Sequence, residues 1–150
     1  EKKGTLRSKQ REGYTTYQER VLNKTDGKYY MQTMYRPCNY TEYYNSNSCV
    51  VSFQYKLTNI KTGEIIATEI IEKTLNDEVI YGRFEGDVNT LWPAGQGGPN
   101  LNQNDRRALQ SMMNARQDVK PSGELSNMLF NQISAQMTGV IDKSIKEIVK

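Results

Sequence analysis

The chain contains no histidine, so the side chain that most often moves protons near neutral pH is missing. Acid–base chemistry would fall to the carboxylates Glu69, Glu72, Glu78, Glu85 and Asp87. Two of them about 5 to 10 Å apart could act as a general acid and base, as in hydrolysis of a glycosidic bond. Their spacing fixes no such pair, and carboxylates at strand edges are ordinarily solvated. A secreted hydrolase using sheet-edge carboxylates is therefore the second reading; the first is a protein that is not an enzyme.

Cys38 and Cys49 bracket the polar, tyrosine-rich stretch NYTEYYNSNS. Two cysteines closing a short loop between strands are expected to form a disulfide, which would stabilise the fold by about 3 kcal/mol and place it in an oxidising compartment. The alternative is a pair of free thiols packed as small hydrophobes. With no further cysteine and no histidine, the set of soft donors is too small for a metal site, and neither metal nor cofactor is expected.

Tyrosine is the better lead. Eight of the ten tyrosines lie between Tyr14 and Tyr44, and tyrosine offers a large contact area with a polar tip. Tyr40, Tyr43 and Tyr44 in the 38–49 loop are the first candidates for contact with a partner. Trp92, the single tryptophan, is the next, as an exposed anchor on a loop. The competing readings are cross-strand packing for the strand tyrosines and a buried anchor over the sheet for Trp92.

The elements that would position these residues follow from periodicity. Cys49, Val51, Phe53, Tyr55 and Leu57 alternate with polar residues, the pattern of a strand with one buried face. A polar cluster ending in Gly63 then reverses the chain. Ile65, Ile66, Ala67, Thr68, Ile70 and Ile71 form a β-branched run, apolar on both faces, which predicts a strand more central than its partner.

Upstream, residues 14–23 and 29–36 read as strands around Asp26-Gly27, a strong tight-turn signal, and Pro37 is expected to end that pairing. Residues 78–85 form a further strand. Residues 86–100 carry Pro93, Pro99 and four glycines and read as a loop. Residues 105–116 predict a helix with the stripe Ala108, Leu109, Met112 and Met113. Ser122 caps a longer helix whose apolar stripe runs from Leu125 through Leu129, Ile133, Met137 and Ile141 to Ile148.

The expectation is an α+β fold: an antiparallel sheet of about five strands with two C-terminal helices packed on one face. Residues 1–13 would be a flexible lead-in and 14–150 a single domain, long enough to bury about two-thirds of its unfolded surface. No run approaches the roughly 20 apolar residues of a membrane-spanning helix. The chain starts at Glu1 rather than Met, which is compatible with a trimmed targeting segment. A net charge of +3 makes the whole chain a poor nucleic-acid binder. The first 36 residues are more basic than the rest, a strip whose plain reading is a solvated strand face.

The segment VSFQYKLTNIKTGEIIATEIIEKT, followed by YGRFEGDVNTLWP and a long terminal amphipathic helix, resembles the bacterial curli-secretion lipoproteins and the related activators of penicillin-binding proteins. The resemblance rests on Thr62-Gly63-Glu64, its flanking strands and the closing helix, and spans roughly residues 49 to 150. It implies an exported envelope protein of the periplasm or outer-membrane periphery, held by a lipid on an upstream cysteine absent from this chain. Such a protein would act through protein contacts, self-association among them. Some members of that family insert hairpins in the outer membrane as a ring. Arg20, Lys24 and Lys28 with Gln18 and Gln32 do not make a lipid-facing band, so pore formation is not implied here.

Overall fold

The structure, a computed structural model, describes residues 2–148. Glu1 and the last two residues lie outside the described residues, as do the side chains of Lys2, Lys3, Glu147 and Ile148. The elements in order are β1 (Lys2–Leu22), β2 (Tyr29–Thr58), β3 (Ile65–Arg83), a 3-10 turn at Val88–Thr90, β4 (Leu91–Gly95), β5 (Gly98–Pro99), α1 (Gln103–Met113) and α2 (Ser122–Ile148). The strands form one antiparallel sheet in the order β3-β2-β1-β4-β5, and both helices are C-terminal. The fold is α+β, as the periodicity predicts.

The sheet has the expected five strands, but their bounds differ. The segments 29–36 and 49–57 belong to one 30-residue strand, β2, which runs through Pro37 and the whole 38–49 stretch. The segments around 65–71 and 78–83 are likewise joined in β3, which ends before Phe84 and Glu85. Residues 2–13, expected as a loose lead-in, are part of β1. Two short strands come from the glycine- and proline-rich stretch that reads as a loop. Side-chain hydrogen bonds hold the polar part of β2: Asn47 Nδ2 donates to the Lys120 carbonyl at 2.8 Å and Ser48 Oγ to Asn76 Oδ1 at 2.7 Å. Such partners let a strand without apolar alternation persist.

Both hairpin turns are built alike. Gly27 has φ 72° and Gly63 φ 74°, the left-handed region that favours glycine. In each, the glycine N–H donates to the carbonyl of an asparagine four residues earlier, Asn23 at 2.9 Å and Asn59 at 2.8 Å. That asparagine's Oδ1 accepts from the N–H two residues on, Thr25 or Lys61, at 2.9 Å. The paired Asn-x-x-x-Gly pattern is the local cause of both reversals.

The isoleucine-rich run predicts a strand more central than its hairpin partner, but β3 is the sheet's edge and its partner β2 is interior. Its burial alternates: Ile71, Val79 and Tyr81 are buried while Ile66, Ile70 and Ile80 are exposed, Ile70 by 63%. Apolar residues on both faces therefore mark one packed face and one open face.

Compactness divides the chain into two units. One gathers Ser46–Glu78, the segment from Val119 through α2, and the start of β1; the other combines Leu6–Asn45 with Val79–Asp118. In the first, Cys49, Leu125 and Leu129 form the core, with Val51 and Leu75 packed against it. The α2 stripe does not keep its burial: Leu125, Leu129 and Ile133 are buried, Met137 and Ile141 half-buried, and Ile145 exposed. Asn102 caps α1, accepting from the N–H groups of Asn104 and Asp105, and α1 packs against β4. In this second unit Leu91, Trp92, Tyr81 and Leu109 are buried, whereas Ala108 of the expected α1 stripe is exposed.

Candidate functional site

The expected contact residues Tyr40, Tyr43 and Tyr44 are half-buried and lie on β2, not on a loop. Strand alternation sends Tyr43 to the face opposite Tyr40 and Tyr44. On the Tyr40 side, Arg11 makes a two-pronged pair with Glu42, Nε to Oε2 at 3.2 Å and Nη2 to Oε1 at 3.3 Å. Burial raises the Tyr40 phenol above its ordinary pKa, with the Glu42 charge adding to the rise and Arg11 opposing it. The Tyr40 ring also sits where a side chain at Gly13 would be, 3.3 Å from an ideal Cβ, which ties the tyrosine to β1.

Tyr43 stacks on Tyr81, with ring centroids 4.9 Å apart and planes 9° from parallel. The Arg83 guanidinium lies 5.6 Å from the Tyr43 ring centroid and donates to Gln117 Oε1 at 2.9 Å. An open groove of about 560 Å³ runs beside them, lined in part by Tyr43, Arg83, Phe84, Glu85, Met113 and Gln117. Tyr81 is buried in this stack and Tyr43 half-buried, so of the three only Arg83 is exposed. Sequence reasoning found Tyr43 but took Tyr81 and Arg83 only as strand positions. Their spacing of two on one strand was the available signal.

Trp92 is an anchor rather than an exposed contact. It is 7% exposed, sits on β4 opposite Tyr14, and receives Tyr35 edge-on at 6.1 Å and 78°. The Arg106 guanidinium covers its ring at 4.1 Å.

The disulfide is a further correction: Cys38 and Cys49 are both free thiols. They lie eleven residues apart on one strand, a rise of about 36 Å at the spacing of a strand, where a disulfide needs Cα atoms within about 7 Å. Burial raises the Cys38 thiol above its ordinary pKa. Cys49 is buried with its Sγ 3.2 Å from Ser126 Oγ. Alkylation of the denatured, unreduced protein is expected to add two labels, and the melting temperature should be the same with and without reductant. A mass two hydrogens short would show a bridge.

The carboxylates are scattered in role. Glu69 accepts from the Tyr55 hydroxyl at 2.7 Å, and Asp87 caps the 3-10 turn by accepting from the Asn89 N–H at 2.9 Å. Glu72, Glu78 and Glu85 are exposed. Among the described residues no three His, Cys, Asp or Glu side chains are placed to hold a metal ion.

Exposed apolar side chains lie near both hairpin turns, and also at Leu6, Ile80, Leu101 and Phe130. The first hairpin shows Leu22, Tyr29, Tyr30 and Met31, with Arg20 over the Tyr29 ring at 4.2 Å. The second shows Ile60, which is 99% exposed, with Ile65, Ile66 and Ile70. No helix is long and apolar enough to cross a membrane among the described residues. Comparison with protein-family models, with curated proteins and with solved structures finds no match.

Proposed function

We propose that this chain is a non-enzymatic binding or assembly module of the cell envelope, acting through protein–protein contacts made by the outer parts of its two hairpins. The observation that carries this reading is the exposed apolar surface there: Tyr29, Tyr30 and Met31 on one hairpin, Ile60, Ile65 and Ile70 on the other. Exposed apolar side chains gathered on one element mark sites that a partner covers, and tyrosine and methionine are enriched at such contacts. The resemblance of residues 49 to 150 to curli-secretion lipoproteins and to activators of penicillin-binding proteins supports the envelope setting. In that setting the protein is exported, sits in the periplasm or at the outer-membrane periphery, and meets the membrane through an upstream lipid.

A photo-crosslinking amino acid placed at Tyr30 and, separately, at Ile70 tests the reading in cells. Discrete protein adducts are expected at both positions, and none at the polar, exposed Asn131 of α2. Adducts at neither hairpin would overturn it.

A further inference from the structure

We infer that one face of the first hairpin is a docking surface for an acidic segment of a partner protein, with Arg20 as its anchor. This rests on the protein-contact reading above and names the chemistry of the partner.

Gln18 Nε2 donates to Thr33 Oγ1 at 2.9 Å across the hairpin, so these two side chains share a face. Strand alternation then places Arg20 and Leu22 of β1 on that face with Tyr29 and Met31 of β2. All six residues are exposed, and the apolar ones strongly so, from Leu22 at 45% to Met31 at 61%.

The Arg20 guanidinium lies 4.2 Å from the centre of the Tyr29 ring. A guanidinium held over an aromatic ring keeps its N–H donors free at the rim and gives up much of its mobility beforehand. In that state it can take a carboxylate through two parallel hydrogen bonds at small further entropic cost. Among the described residues Arg20 has no carboxylate partner, whereas Arg11 on the same strand is already paired with Glu42.

Charge selects the occupant. Between Tyr14 and Arg36 the hairpin carries the cations Arg20, Lys24, Lys28 and Arg36 and the acids Glu19 and Asp26. Glu19 falls on the opposite face, with Tyr17 and Arg36. Asp26 sits in the turn, where its Oδ1 accepts from the Lys28 N–H at 3.0 Å. The face around Arg20 therefore holds a cation and no acid. A carboxylate of the partner would meet Arg20 there, and an apolar side chain beside that carboxylate would lie on Leu22 and Met31. A nucleic acid would call for further cations along its phosphates, where this face offers Leu22 and Met31. Arginine, tyrosine and methionine together are the residue types enriched at protein contacts.

The test is fluorescence anisotropy of labelled probes titrated with the full chain at low salt. The probes are a soluble peptide of glutamate, phenylalanine and glycine, the same peptide with glutamine in place of glutamate, and a thymidine oligonucleotide. The glutamate peptide should bind, more weakly as salt rises, and the glutamine peptide at least about ten-fold more weakly, as loss of a charged hydrogen-bonded pair implies. Arg20→Gln should weaken the glutamate peptide about ten-fold, Arg20→Lys by less, and Arg36→Gln on the other face not at all. Arg20 is exposed, so an unchanged melting temperature in its variants separates a lost contact from a lost fold. No saturable binding of the glutamate peptide, equal binding of the glutamine peptide, full binding by Arg20→Gln, an equal loss in Arg36→Gln, or tighter binding of the oligonucleotide would each overturn the inference. If the peptide arm fails while Tyr30 and Ile70 still crosslink to protein in cells, the acidic partner falls and the proposed function stands.

Discussion

Replacing Trp92 with alanine is expected to remove about 3–5 kcal/mol of stability, the cost of emptying a buried aromatic site. The indole is 7% exposed, so nearly all of its contact area is lost. Two neighbours lose a partner with it. Tyr35 packs edge-on against the ring, and the Arg106 guanidinium lies over its face, a contact of about 0.5–2 kcal/mol depending on how far the charge is desolvated. Trp92→Phe should recover part of the loss, because a smaller ring still meets Tyr35 and Arg106. Urea unfolding followed by far-UV circular dichroism is the proper readout, since the substitution removes the only tryptophan. A loss below about 1 kcal/mol, the range of ordinary surface changes and mild core changes, would mean the ring is not the anchor described above.

The second large effect is expected at Leu129. Its side chain is fully buried, with Leu125 and Cys49 as its core neighbours, and Leu129→Ala should cost about 3–5 kcal/mol through lost transfer energy and the cavity left behind. The informative comparison is Ile145→Ala on the same helix. Ile145 belongs to the same periodic stripe but is 47% exposed, so its truncation should stay within about 0.5 kcal/mol. Equal losses at the two positions would mean that α2 is buried along its whole length, contrary to the burial described for it.

What the residues announced was local. Asp26-Gly27 and Gly63 mark the turns because a positive φ is a property of one residue and its immediate hydrogen bonds. The alternation from Val51 to Thr58 is reproduced position by position in burial, because a strand with one covered face imposes period two. The α2 stripe was legible for the same reason at period 3.6.

What failed was tertiary. Pro37 does not end β2, and the polar run after it stays extended because Asn47 and Ser48 find hydrogen-bond partners remote in sequence. Ile65 to Ile71 looked central because composition reports that a residue can be buried, not that another strand covers it. Trp92 looked like a loop anchor because proline and glycine surround it, yet two short strands, β4 and β5, form with Pro93, Gly95, Gly98 and Pro99 inside them. The Tyr43–Tyr81 stack joins residues 38 positions apart, a pairing that no single-sequence pattern encodes.

The interleaving of the two units bears on how the chain is made. Every segment of one unit has been synthesised once the ribosome passes Asp118, but the other still lacks the 27 residues of α2. Until that helix emerges, Cys49, Val51 and Leu75 have no Leu125 or Leu129 to cover them. A nascent or translocating chain therefore carries a bare apolar strand face, the kind of surface that aggregates or recruits a holding chaperone. Stalling translation just before Pro121 would make that holding interaction last.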